Sequence, residues 1–134
     1  MAVAEGGVEA PEVLTMLWDL SATIGPVFSP SAWLIVSGSV IVGLCSLVRA
    51  PTDEGVLMIG YGVAASARQQ GIAGGAIAEL LDWARSDQRV TAVMAETAID
   101  NIPSQRVLEG NGFTLTGDRS DEEDGDLLTW HLTL

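Results

Sequence analysis

Lysine is missing from this chain: its six positive charges are all arginine, set against 18 acidic residues. The formal charge of −12 repels phosphate backbones, which argues against nucleic acid as a partner and favours a cationic acceptor such as an amine. Without lysine there can be no G-x-x-x-x-G-K-[ST] phosphate loop, and no G-x-G-x-x-G joins a strand to a helix either. The single cysteine, Cys45, leaves no internal disulfide and no thiolate metal cluster, and it suits a reducing cytoplasm. No basic stretch followed by an apolar run opens the sequence, so no signal peptide is read there. Charge is also absent from Leu20 to Val48. That run is not read as a membrane span, because Pro26 and Pro30 interrupt it and Ser37-Gly38 reads as a tight turn. The segments flanking the turn, Ala32–Val36 and Val40–Leu44, are rich in β-branched and aromatic residues and read as a buried hairpin.

What is present describes one domain over residues 1–134. Its 48% hydrophobic content is enough for a single core, and no internal repeat is visible. Residues 1–10 read as loose, and helical spacing runs from Pro11 to about Ala22. Strands are expected at about 32–37, 40–48 and 56–64. A helix from about Gly71 to Arg85 should bury Ala73, Ile77, Leu80, Leu81 and Ala84. Val90 to Thr97 reads as a strand and Pro103 opens a short helix to Gly110. Two terminal strands, Phe113–Thr116 and Leu127–Leu132, should be joined by an acidic loop over 118–126. Hairpins at both ends with a strand–helix–strand unit between them give an α/β (mixed α+β) fold, a mixed and mostly antiparallel central sheet flanked by helices.

The richest stretch is Tyr61 to Ala73, which reads as strand, donor-rich turn and helix opening. Backbone N–H groups at a helix start lack intrahelical partners and carry partial positive charge, so they suit a phosphate or pyrophosphate. Gly71 lets the backbone approach closely, and Arg68 adds charge at the lip. Read from these residues alone, the ligand could be any phosphate-bearing cofactor, ATP or NAD included.

The segment Arg68-x-x-Gly71-x-Ala73 resembles the [QR]-x-x-G-x-[GA] signature of the GNAT superfamily of acyl-CoA-dependent N-acyltransferases. Asn101-x-x-Ser104-x-x-Val107-Leu108, followed by Gly112-Phe113, is similar to the second landmark of the branch that holds the ribosomal-protein N-terminal acetyltransferases of RimJ/RimL type. Ile59-Gly60-Tyr61-Gly62-Val63 is similar to that branch's cofactor strand. The resemblance covers roughly residues 31 to 134. It implies an acetyl-CoA-dependent N-acetyltransferase acting on a primary amine, a protein N-terminus or a small cationic molecule. It further implies a cytoplasmic protein that pairs as a homodimer, with no membrane or metal partner.

By the same resemblance, strands 56–64 and 90–97 splay apart, Tyr61 and Val63 offer backbone groups to the pantetheine arm, and a backbone N–H at or beside Val63 meets the oxyanion. Arg68, Gln69, Gln70, Gly71, Ile72, Ala73 and Gly74 would wrap the pyrophosphate, and Asn101 and Arg106 would also touch the cofactor. Many relatives protonate the departing thiolate with a tyrosine seven residues after the helix asparagine, but Leu108 stands there, so that role passes to Ser104. Many carry a glutamate where Met58 stands. Glu96 or a carboxylate of the acidic loop, Glu122 among them, is left as the base. The family's first strand has little sequence to form it before Pro11. These departures keep open a second expectation, an acyl-CoA-binding module without turnover.

Overall fold

The computed structural model describes residues 2–3, 19, 22–63, 71–123 and 125–134. Along them run β1 (Ala2–Val3), β2 (Ala32–Ser37), β3 (Val40–Leu47), β4 (Val56–Val63), α1 (Ile72–Ser86), β5 (Ala92–Ala98), α2 (Ile102–Gly110), β6 (Thr114–Asp121) and β7 (Gly125–Thr133). Most of the expected first helix lies outside the described residues; a helical turn at 22–24 is seen. The amino terminus does supply a strand, the two-residue β1, which pairs in parallel with Val40 and Ile41.

One sheet joins all strands in the order β1-β3-β4-β5-β7-β6, and β2 lies along the other edge of β3. The β2–β3 hairpin turns where the sequence places it, with Gly38 at φ 62° in the left-handed region that glycine tolerates. Of the hairpin's two strands, only β3 is largely buried, however. β2 forms an edge, leaving Leu34 61% and Val36 41% exposed, because the sheet continues on one side of the hairpin alone.

Both helices pack on the same face of the sheet. Leu47, Leu57, Ile59, Val93, Ala95 and Trp130 meet Ile77, Leu80, Leu81 and Ala84 of α1 and Leu108 of α2. This is the stripe expected for α1, except that Ala73 joins a smaller cluster with Ile35, Val42 and Val63. Alternation within each strand sends the neighbouring residues to the opposite face. Trp130 stays buried because its Nε1–H donates to Thr97 Oγ1 at 3.0 Å.

The acidic segment is mostly strand. β6 runs on to Asp121 and β7 begins at Gly125, so only a short turn remains of the expected loop. The turn is tied by Glu123 N–H donating to Asp121 Oδ1 and by the Ser120 hydroxyl bonding Asp126 Oδ1. Gly125 turns the chain at φ 74°. Carboxylates that looked like a solvated run thus make the local hydrogen bonds that a tight hairpin needs.

The sheet opens at one place. β4 and β5 pair in parallel only from Val56↔Ala92 to Ile59↔Ala95. β4 then continues to Val63 along β3, while β5 continues to Ala98 along β7. Each strand follows its outer neighbour, and a wedge opens between their carboxyl ends.

Candidate active site

Three features meet at this wedge: the inner edge of β4, the start of α1 and the start of α2. Val48 N–H donates to the Met58 carbonyl, so Met58 directs its backbone groups toward β3. Alternation therefore directs those of Tyr61 and Val63 toward the wedge. The family resemblance assigns these two positions to the pantetheine arm.

α1 begins at Gly71, whose φ of 74° and ψ of 2° are left-handed, so a side chain here is strained. Among the described residues, a Cβ added at Gly71 or Gly74 would meet nothing within 4 Å. Gly71 offers the helix start no side-chain cap, and the first turn holds no acidic residue. Its first intrahelical bond is Gly75 N–H to the Gly71 carbonyl at 3.0 Å, which leaves the donors of Ile72, Ala73 and Gly74 ahead of the ladder. Donor chemistry and open space both fit a pyrophosphate. Arg68, Gln69 and Gln70 lie outside the described residues.

α2 is organised differently. Asn101 Oδ1 accepts from Ser104 N–H at 3.2 Å, so this candidate cofactor contact is also the helix cap. Its cap relieves the Ser104 hydroxyl of any duty to the helix start. That hydroxyl instead lies 2.7 Å from the Tyr61 hydroxyl, and the Ser104 carbonyl, 3.2 Å from the same phenol, is a second acceptor for the phenol's one proton. The pair spans the helix face of the wedge, from the diverging end of β4 to the helix that follows β5. Burial raises the pKa of Tyr61, the Ser104 hydrogen bond partly offsets this, and Cys45 on β3 adds a small upward push. Leu108 is fully buried, which explains why it carries no hydroxyl: it is a core residue. Arg106 is exposed and has no carboxylate partner among the described residues.

On the opposite face, Glu96 is the first β5 residue beyond the β4 ladder. Arg119 grips its carboxylate at both oxygens, Nε to Oε2 at 2.5 Å and Nη2 to Oε1 at 2.7 Å. The Arg119 hydrogen bonds hold the Glu96 pKa below its ordinary range against the opposing effect of burial. Arg119 also reaches Asp121 at 3.2 Å, and Thr129 Oγ1 lies 3.5 Å from Glu96 Oε2. The carboxylate is therefore a fixed anion with weakened basicity. Glu122 is exposed in the β6–β7 turn, apart from this cluster of hydrogen bonds. Sequence reasoning overlooked two groups, the Tyr61 hydroxyl and the Arg119 guanidinium. Tyr61 could have been noticed as the chain's single tyrosine.

A cavity of about 490 Å³ lies between β2 and α1, lined by Trp33, Trp83, Leu80, Ala76 and Glu79 among others. It occupies the flank of α1 opposite Gly74, whose carbonyl accepts from the Asn111 side chain beside α2. It is separate from the hydroxyl pair and from Glu96. Among the described residues no cluster could hold a metal ion, and no helix is long and apolar enough to cross a membrane.

The open parallel pair and the acid-free helix start beside it lie within the segment that a family comparison matches. The acetyltransferase (GNAT) domain family matches residues 13–114, and the chain belongs to it. A Bacillus subtilis protein described as uncharacterized N-acetyltransferase YjdG is 34% identical over 86 residues, 63% of this chain. The match spans 51% of that relative, about half its length. Among solved structures, the ribosomal-protein alpha-N-acetyltransferase RimL in complex with coenzyme A has a TM-score of 0.72 at 21% identity, covering 92% of this chain and 70% of that one. RimJ of Mycobacterium smegmatis, in complex with CoA-disulfide, has a TM-score of 0.72 at 25% identity, covering 92% and 60%.

Proposed function

We propose that the protein transfers an acetyl group from acetyl-CoA to a primary amine by direct attack on the thioester. The observation that carries this reading is the β4–β5 ladder ending at Ile59↔Ala95 beside the uncapped start of α1. Acetyl-CoA is a substrate consumed in each turnover. Its pyrophosphate would lie on the Gly71–Gly74 amides with Arg68, Gln69 and Gln70 at the lip, and Arg106 and Asn101 nearby. Its pantetheine amides would pair with the Tyr61 and Val63 backbone as an added strand does. Related proteins solved with CoA support this choice of ligand.

The amine would enter from the opposite face, past Glu96. A carboxylate kept ionised by Arg119 is a poor proton acceptor and a good counter-ion, so Glu96 holds the ammonium near the carbonyl. The proton then leaves through water, and Glu122 and its acidic neighbours enrich cationic acceptors around the hairpin. Ser104 gives the departing sulfur its proton. Neighbours described as protein N-terminal and aminoglycoside acetyltransferases support an amine acceptor, and the net charge of −12 supports a cationic one. A cytoplasmic homodimer remains part of the proposal.

The test is release of free CoA thiol from acetyl-CoA across a panel of peptide N-termini, polyamines and aminoglycosides. Amine-dependent release is expected. CoA binding without release for any amine would favour the binding-module reading, which Met58 and Leu108 in place of the family's usual glutamate and tyrosine keep alive.

A further inference from the structure

We propose that Tyr61 is a positioning residue for Ser104, which it orients and recharges as the proton donor to the departing sulfur. The inference rests on the acetyl-transfer reading above and adds a residue that sequence alone assigned only through its backbone.

The geometry points the serine proton outward. The phenol has one proton and two acceptors beside it, Ser104 Oγ at 2.7 Å and the Ser104 carbonyl at 3.2 Å. A phenol is a far stronger acid than an aliphatic alcohol, so with the proton on the shorter contact Tyr61 is the donor and Ser104 Oγ the acceptor. Ser104 then has its own proton free to point into the wedge. A serine hydroxyl alone is a poor acid because it would end as an alkoxide. With Tyr61 behind it, the same step ends on a phenolate.

The balance is simple. The amine nitrogen forms the new bond to the acyl carbon, the carbon–sulfur bond breaks, and its electron pair goes to sulfur. Sulfur takes the Ser104 proton as Ser104 Oγ takes the Tyr61 proton. The nitrogen gives up two protons to water, one from the ammonium before attack and one after the carbon–nitrogen bond has formed, and water returns one of them to the phenolate. No oxidant or further reactant is needed. Burial favours a protonated, neutral Tyr61 before the step, and its titratable neighbour Cys45, with a thiol pushed up to about 12, is neutral there too.

Because Tyr61 is the only tyrosine, phenolate absorbance reports on it alone. Three variants are needed: Tyr61→Phe, Ser104→Ala and the double. Ser104→Ala should lower kcat about 100-fold and Tyr61→Phe at least about tenfold, each with CoA affinity held within about twofold. The double variant should be no worse than Ser104→Ala, because the two hydroxyls act as one unit. Ser104→Ala should also move the phenol titration to higher pH, since the bond that lowers it is gone. Normal turnover in Tyr61→Phe, additive losses in the double variant, or an unmoved phenol titration would each overturn the relay alone. Absence of thiol release by the unaltered protein with every amine would overturn the acetyl-transfer reading and the relay with it.

Discussion

The two described helices start in opposite ways, although both point at the same wedge. α2 begins under the Asn101 carboxamide, which takes up the Ser104 amide. α1 begins at a left-handed glycine, with no side-chain cap and no carboxylate in its first turn. A helix that caps itself has committed its first donors to stability. One that leaves them to the surroundings is arranged for a visitor carrying negative charge. The contrast also divides the chemistry between the two helices. The capped one presents a side-chain hydroxyl, while the uncapped one presents only backbone.

Three substitutions probe that division. The largest effect is expected for Gly71→Val. A branched side chain at φ 74° is strained, and its bulk enters the space left open over the helix start. CoA affinity should fall tenfold or more by calorimetry, with about 1–2 kcal/mol of stability lost to the left-handed backbone. Unchanged affinity would mean that α1 does not hold the pyrophosphate. Asn101→Ala should do the reverse, costing about 1 kcal/mol in denaturant unfolding, with a smaller loss of CoA affinity than Gly71→Val. An affinity loss equal to that of the glycine variant would make Asn101 a principal ligand contact.

The smallest effect concerns the opposite face, where Glu96 is satisfied by its own protein as the α2 start is. Its folded pKa lies below the ordinary value of 4.5, so the pair contributes stability above that pH and loses it as pH falls through the lowered pKa. Arg119 is half exposed, so solvent screening keeps the contribution small. Arg119→Met should flatten the acid loss of stability below pH 4.5, read as urea midpoints against pH. An unaltered acid profile would show that the pair holds no stability of its own.

Local pattern made much of this legible. Alternation and β-branched composition marked β3, β4, β5 and β7, and the apolar stripe of α1 matches four of its five expected positions as buried. The wedge followed from family resemblance, and the ladder ends where such a wedge requires. Contacts between distant positions were not legible. Tyr61 and Ser104 are 43 residues apart, and Glu96 and Arg119 are 23 apart. Each pair depends on which strand lies beside which, and no local periodicity records that. The acidic segment misled for a related reason: charge density suggested a solvated loop, while hydrogen bonds from Asp121 and Ser120 folded it into a hairpin. The edge position of β2 likewise depends on where the sheet stops.

Cys45 sits on β3 directly across from Tyr61, 4% exposed, and burial drives its thiol pKa up to about 12. The folded protein's one sulfhydryl is therefore mute toward alkylating and disulfide reagents at ordinary pH, and coenzyme A released in solution can be counted without a background from the protein. The same side chain becomes a reporter once the sheet comes apart, since labelling of this one atom then clocks how often the molecule opens.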